Sequence, residues 1–216
     1  MKRMASTPVD AIRFIPPRPG PPGLTPSVTP QERDRFYQDL LEAVTTPVIL
    51  SINTFVVPTD LPIEYVAKLV DTYPQIKGIH QSLHPNPGYL MRLIDTIGSK
   101  VPVLSGPGQL LTNLCLGGHG TIALEPNVAP KLCMSIVQSY RSGDFAAALE
   151  GYNRLLHLQP TLLKYQNPRT LKAAMKALGL PGGGYMRRPY LALSKGQEQE
   201  IAEELEKTEI RAFEGV

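Results

Sequence analysis

Ile76-Lys77-Gly78-Ile79-His80-Gln81-Ser82 is the stretch whose reading decides the fold. It is short, too brief for a helix of its own, and with the β-branched Ile76 and Ile79 it reads as a strand. Amphipathic stretches of helical length flank it, Pro62 to Tyr73 before and Pro87 to Ile97 after. A strand set between two such helices is the repeating part of a parallel α/β sheet.

Working outward, the same alternation recurs. Upstream lie a strand from Pro47 to Asn53 and a helix from Pro30 to Val44, opened by Thr29-Pro30-Gln-Glu32 as N-cap, N1 proline and acidic first turn. A first run, Ala11 to Ile15, halts at Pro16-Pro17, and residues 16–30 form a Pro/Gly-rich loop. Downstream come a strand Val101 to Ser105, a helix Gln109 to Leu116 and a strand Thr121 to Glu125. After Pro130 only helical periodicity remains, in Lys131 to Ser142, Asp144 to His157, Thr161 to Tyr165, Thr170 to Leu178 and Lys195 to Lys207. The class is α/β with five strands and a helical tail. Five strands do not close a barrel, and an open doubly wound sheet is the alternative that periodicity leaves standing.

Composition narrows the function. Lys and Arg number 22 against 19 Asp and Glu, for a formal charge of +3, and the charges are interleaved. That describes a solvated surface rather than a nucleic-acid stripe. The cysteines, Cys115 and Cys133, lie in apolar helical patterns without metal spacing, so both are expected as buried thiols in a reducing compartment. No apolar run approaches the roughly 20 residues of a membrane span, and the expected location is cytoplasmic.

Several motifs occur in a fixed order. Gly117-Gly-His-Gly-Thr-Ile-Ala-Leu-Glu-Pro-Asn127-Val-Ala-Pro130 is similar to a GGxG-[VI]-S-x-x-x-N-x-x-P segment, and Ser142-Gly-Asp-Phe145 to an "AGDF" turn. Asn167-Pro168, Lys172-Ala-Ala174 and Arg187-Arg-Pro189 follow the order of an "NPxPxKAAL...G...RxP" tail. Leu104-Ser-Gly106 resembles "LSGDD", and Val9 to Pro17 resembles "ADAVLVVPPYY". Together they resemble the dihydrodipicolinate synthase and N-acetylneuraminate lyase family of pyruvate-dependent lyases. The resemblance implies a partial TIM (β/α) barrel, strands four to eight of the family's eight. Residues 1–130 would hold it, with 1–8 a disordered start, and 131–216 would hold the last barrel helix and a helical region.

In that family a strand lysine forms an imine with a 2-oxo acid, and the imine acts as an electron sink. The lysine belongs to a "GIKEA"-like segment, which here reads Gly78-Ile-His80-Gln-Ser82, so His80 takes its place. Imidazole forms no stable imine. The family tyrosine of "YNxPxxTG" is replaced by Ser51, the following loop Thr54 to Pro58 lacks an arginine, and Arg18-Pro19 replaces a tyrosine pair. A "GTTGE"-like carboxylate pocket belongs to strands that this sequence does not match. Lys77 lies three positions before His80, and strand parity turns it toward the helices.

The resemblance therefore puts His80, Ser51 and Glu125 at catalytic positions and Ser82, Gly106 and Asn127 at substrate-binding positions. His80 and Glu125, the latter read on the last strand, are a candidate acid–base pair. His84, His119 and His157 read as surface residues, Gly182-Gly-Gly184 as a flexible helix connection, and the last charged helix as solvated. No metal and no cofactor is expected. The ligand implied is a 2-oxo acid such as pyruvate, and the partners a second copy or a homologous subunit. The expectation is a degenerate lyase homologue without a Schiff base. Its alternatives are an enzyme using non-covalent acid/base chemistry and a non-enzymatic partner of an intact homologue.

Overall fold

The computed structural model describes residues 9–15, 29–53, 61–83 and 86–216. Residues 1–8, most of the loop 16–30 with Arg18-Pro19, the loop 54–58 and His84 lie outside the described residues. The chain divides into two compact units that part between Ile122 and Ala123.

The first unit is a parallel sheet of β1 (Ile12–Phe14), β2 (Val48–Asn53), β3 (Ile76–Leu83), β4 (Val103–Ser105) and β5 (Gly120–Thr121). Strand order follows chain order, β1-β2-β3-β4-β5. Helices α1 (Pro30–Glu42), α2 (Ile63–Thr72), α3 (Pro87–Ile97) and α4 (Leu110–Cys115) join them. Right-handed crossovers that never reverse direction lay every helix on one side of the sheet. A doubly wound sheet needs a reversal of order, and this sheet has none. The winding is that of part of a (β/α) barrel. Among the described residues β1 pairs only with β2 and β5 only with β4, so the sheet has two edges.

Burial follows that geometry. Ile12, Phe14, Val48, Leu50, Ile52, Ile76, Ile79 and Val103 share one core with helix residues such as Tyr37, Leu41, Val66, Leu69, Leu90 and Leu93. Two of these helices begin at side-chain caps that the sequence carries. Thr29 and Glu32 close a capping box at α1 with Pro30 at its start, and Asn86 accepts the Gly88 N–H ahead of α3. Ile76 and Ile79 are three apart yet both enter the core. The register explains this: Val48 pairs with Ile76 and Ile49 with Gly78, leaving Lys77 as an extra residue. Lys77 is exposed at this irregularity, and simple parity does not run through it.

Two sequence expectations for this unit are corrected. The last strand ends at Thr121, and Glu125 belongs to a 3-10 turn, Glu125–Asn127. Pro126 has no N–H to offer a ladder, and Leu124 is exposed, so the apparent alternation from Thr121 has no core to face. Cys115 is exposed, since α4 is short and turns Leu110, Asn113 and Leu114 inward instead.

The second unit is helical: α5 (Pro130–Ser142), α6 (Phe145–Leu163), α7 (Arg169–Ala177), α8 (Lys195–Lys207) and α9 (Ile210–Glu214). Helix α6 runs unbroken through Pro160, where a break is expected from sequence. Leu155, Leu158 and Leu162 are buried along one face, and the proline falls in the last turn, where few bonds remain to be lost. Glu214 is buried, and its carboxylate accepts the Lys131 and Leu132 N–H groups at 3.0 and 2.9 Å. It neutralises the positive end of α5 from the far end of the unit's sequence. The three-glycine segment is closely packed: Gly182 and Gly184 have φ of +76 and +75°, and a Cβ on Gly183 would overlap the Lys176 backbone. Ile201 and Leu205 dock the last charged helix, so it is solvated on one side only.

Candidate functional site

Ladder partners in a parallel sheet point to the same side, so register assigns the residues of the face away from the helices. Ser51 pairs with His80, His80 with Leu104 and Leu104 with Gly120, forming one row. Arg13 pairs with Ile49 and Ile49 with Gly78, forming the row one pleat before it. The row with Ser51 and His80 carries the chemistry.

Ser51 Oγ lies 3.3 Å from His80 Nδ1. Ser51 is 2% exposed and His80 4%. Burial pushes the His80 pKa down to about 4, the Arg13 charge adds to this, and a backbone hydrogen bond at Ile122 opposes it. The imidazole is therefore neutral at physiological pH. Neutral imidazole has one donor and one acceptor nitrogen. Nδ1 faces the serine hydroxyl, while Nε2 is buried without a well-aligned partner among the described residues, the Ile122 backbone acting on the ring. The pair can polarise or orient an oxygen-bearing ligand, and it offers no amine.

The remaining sequence candidates separate. Ser82 and Gly106 come together: a Cβ on Gly106 would strike the Ser82 carbonyl oxygen, so glycine is required where the ends of β3 and β4 meet. Ser82 itself is the second extra residue of β3, since Ile52 pairs with Gln81 and Asn53 with Leu83. Glu125 is buried in the second unit, with Oε2 lacking a hydrogen bond among the described residues. Asn127 is exposed and donates to the Leu124 carbonyl at 2.8 Å, holding its own turn. His119 is not a free surface residue, because its Nδ1 accepts the Val103 N–H at 3.3 Å; His157 is exposed on α6. Cys133 is buried among apolar residues, and burial, with Glu125 and Glu214 nearby, pushes its thiol up to about 12. Among the described residues no group of three or more His, Cys, Asp or Glu is placed to hold a metal ion, and no helix is long and apolar enough to cross a membrane.

Arg13 is the residue that sequence reasoning passed over. It alternates with Ile12 and Phe14 and so reads as the wet side of a short strand. Register instead sets it on the face of Ser51 and His80. It forms no ion pair among the described residues.

A chain wound in this way, with Ser51 and His80 on the strands' helix-free face, falls in the class of partial (β/α) barrels. Residues 25–208 match the model of the dihydrodipicolinate synthetase family. The chain belongs to that family. It is 32% identical over 180 residues to the probable 2-dehydro-3-deoxy-D-pentonate aldolase YjhH of Escherichia coli, covering 81% of this chain and 59% of that protein. It is 33% identical over 147 residues to the 4-hydroxy-tetrahydrodipicolinate synthase of Rhizobium meliloti, covering 66% of this chain and 48% of that one. Among solved structures it is similar to YagE of E. coli K12, a prophage protein of the dihydrodipicolinic acid synthase family in complex with pyruvate. The TM-score is 0.80 at 25% identity, over 93% of this chain and 67% of YagE. The chain thus spans about half to two thirds of the length of these relatives.

Proposed function

We propose that this chain is a lyase-family member that does not use the lysine imine, and that it holds small 2-oxo acids without covalent capture. One observation carries the reading. Where the resemblance puts the family's tyrosine and lysine, β2 and β3 present Ser51 and His80, hydrogen-bonded, buried and neutral. An imine needs an amine at that position, and the exposed Lys77 stands apart at the irregular start of β3. The test is reductive trapping: with pyruvate and borohydride, intact-mass spectrometry should show an unchanged chain. An adduct on Lys77 or any other lysine refutes the proposal.

The open edges of β1 and β5 favour a second reading, a subunit that pairs with an intact homologue. Co-elution with a purified homologue on size exclusion supports it. Separate elution at micromolar concentration rejects it.

A further inference from the structure

Charge is nearly balanced over the whole chain but not within the helical unit. From Gly151 to Gln197 the sequence holds eight Lys and Arg and no Asp or Glu. Three of the eight are neutralised from outside that stretch: Arg154 by Glu150 and Glu209, Lys164 by Glu200 and Glu204, and Lys176 by Glu198. The other five, Arg169, Lys172, Arg187, Arg188 and Lys195, form no ion pair among the described residues.

These five are gathered by the fold. Arg169 and Lys172 stand one turn apart on α7, and both reach the segment that follows it. Arg169 Nε donates to the Leu191 carbonyl at 3.1 Å, with its guanidinium 5.3 Å from the Tyr190 ring, and Lys172 Nζ donates to the Gly182 carbonyl at 2.8 Å. The Gly184 N–H returns a bond to the Lys172 carbonyl at 2.8 Å. Residues 182–191 are thus tied to α7 at both ends. Arg187 and Arg188 are exposed on the stretch between, where the Tyr190 N–H donates to the Arg187 carbonyl at 3.1 Å and closes a turn. Lys195 opens α8 just beyond.

The same segment turns apolar side chains outward. Tyr185 is 75% exposed and Leu191 78%, with Tyr190 at 45%. Tyrosine and arginine are the side chains that dominate protein interfaces, and a backbone already held in place leaves little ordering to be done on contact. Cations with no acid beside them fit an acidic partner, and a guanidinium holds a carboxylate through two parallel hydrogen bonds. A single nucleic-acid strand would meet the cations and stack on the tyrosines, but it has no aliphatic group for Leu191. An acidic protein segment with aliphatic side chains engages all of them.

We infer that residues 182–195, with Arg169 and Lys172 of α7, form a docking surface for an acidic protein segment that carries aliphatic side chains between its carboxylates. The surface lies within the helical unit and is independent of the reading of Ser51 and His80.

The test uses the full chain and fluorescence anisotropy, with a labelled synthetic peptide of Glu and Leu as the probe. A peptide of Glu alone and a single-stranded oligothymidine, each of the same length, serve as comparators. The Glu–Leu peptide should bind most tightly and weaken as salt is raised. Arg187→Gln with Arg188→Gln should weaken it about tenfold. The charge-matched pair Arg35→Gln with Arg92→Gln, on α1 and α3, should stay within about twofold of wild type. Leu191→Ser should weaken the Glu–Leu peptide and leave the Glu peptide unchanged, a difference that a field of charge alone would not produce. All of these side chains are exposed, so the variants should keep the wild-type circular dichroism and melting curve. No binding of the Glu–Leu peptide in low salt, equal affinity for the Glu peptide, or an equal loss in the charge-matched pair would each overturn the inference. Tighter binding of oligothymidine would overturn it in favour of a nucleic-acid surface.

Discussion

The two faces of the five-stranded sheet are made by the same strands and obey different rules. On the helix side, Val48, Leu50, Ile52, Ile79 and Val103 are sealed into one apolar core. On the other, the same strands offer Arg13, Ser51 and His80, with Ile49 and Leu104 only partly covered. The first face answers mostly to packing, where any apolar residue of the right volume serves, although Gln81, in the row of Ile52, is fully buried there. The second answers to chemistry, and polar side chains there are kept despite the desolvation they suffer. The proposed site lies on this second face, and scaffold and site can diverge independently.

The comparison breaks most visibly on the packed face. Leu50→Ala removes a side chain that is 1% exposed, and urea unfolding should show a loss of about 3 kcal/mol. Under 1 kcal/mol would mean that this face is not the core.

A smaller effect is expected from acid on the opposite face. The folded pKa of His80 is about 4, below the value of 6.5 for a free side chain. Below that higher value the unfolded chain takes up a proton that the folded chain refuses, so the contribution of this group is whole above it and fades as pH falls toward the folded value. Wild type should therefore lose more stability over that window than His80→Gln, in parallel denaturant titrations. Equal losses would place His80 in a solvated setting.

The least effect should come from removing the polar pair altogether. Ser51→Ala with His80→Leu takes away both partners at once and leaves no orphaned group, so stability should stay within about 1 kcal/mol of wild type. A larger loss would make the pair a structural requirement rather than a site.

Much of the scaffold could be read without coordinates. The helices Pro87–Ile97 and Lys195–Lys207 begin and end where caps and periodicity put them, because those signals are local. The misread parts depend on distant partners. Thr121 to Glu125 has the rhythm of a strand, yet pairing stops at Thr121, because β4 offers it only Leu104 and Ser105. Pro160 reads as a terminator, and the buried leucines around it hold the helix together. Of the site, Ser51 and His80 were legible as positions but not as neighbours, since their 3.3 Å contact exists only through ladder register. Arg13 was invisible for the same reason: an arginine between Ile12 and Phe14 looks like any wet strand residue until its row is known.

The two unpaired residues of β3 have a consequence for how this strand tolerates change in length. Gly78 to Gln81 run level with Ile49 to Ile52, and Lys77 and Ser82 bracket that quartet as spacers. A residue lost at a spacer straightens the strand and leaves His80 beside Ser51. A residue lost or gained within the quartet rolls the strand about its own axis, carrying His80 into the oil of the helix layer and Ile79 out of it. The strand therefore works like a hinge pin between two washers: length can be adjusted at its ends, while the central four residues keep His80 level with Ser51.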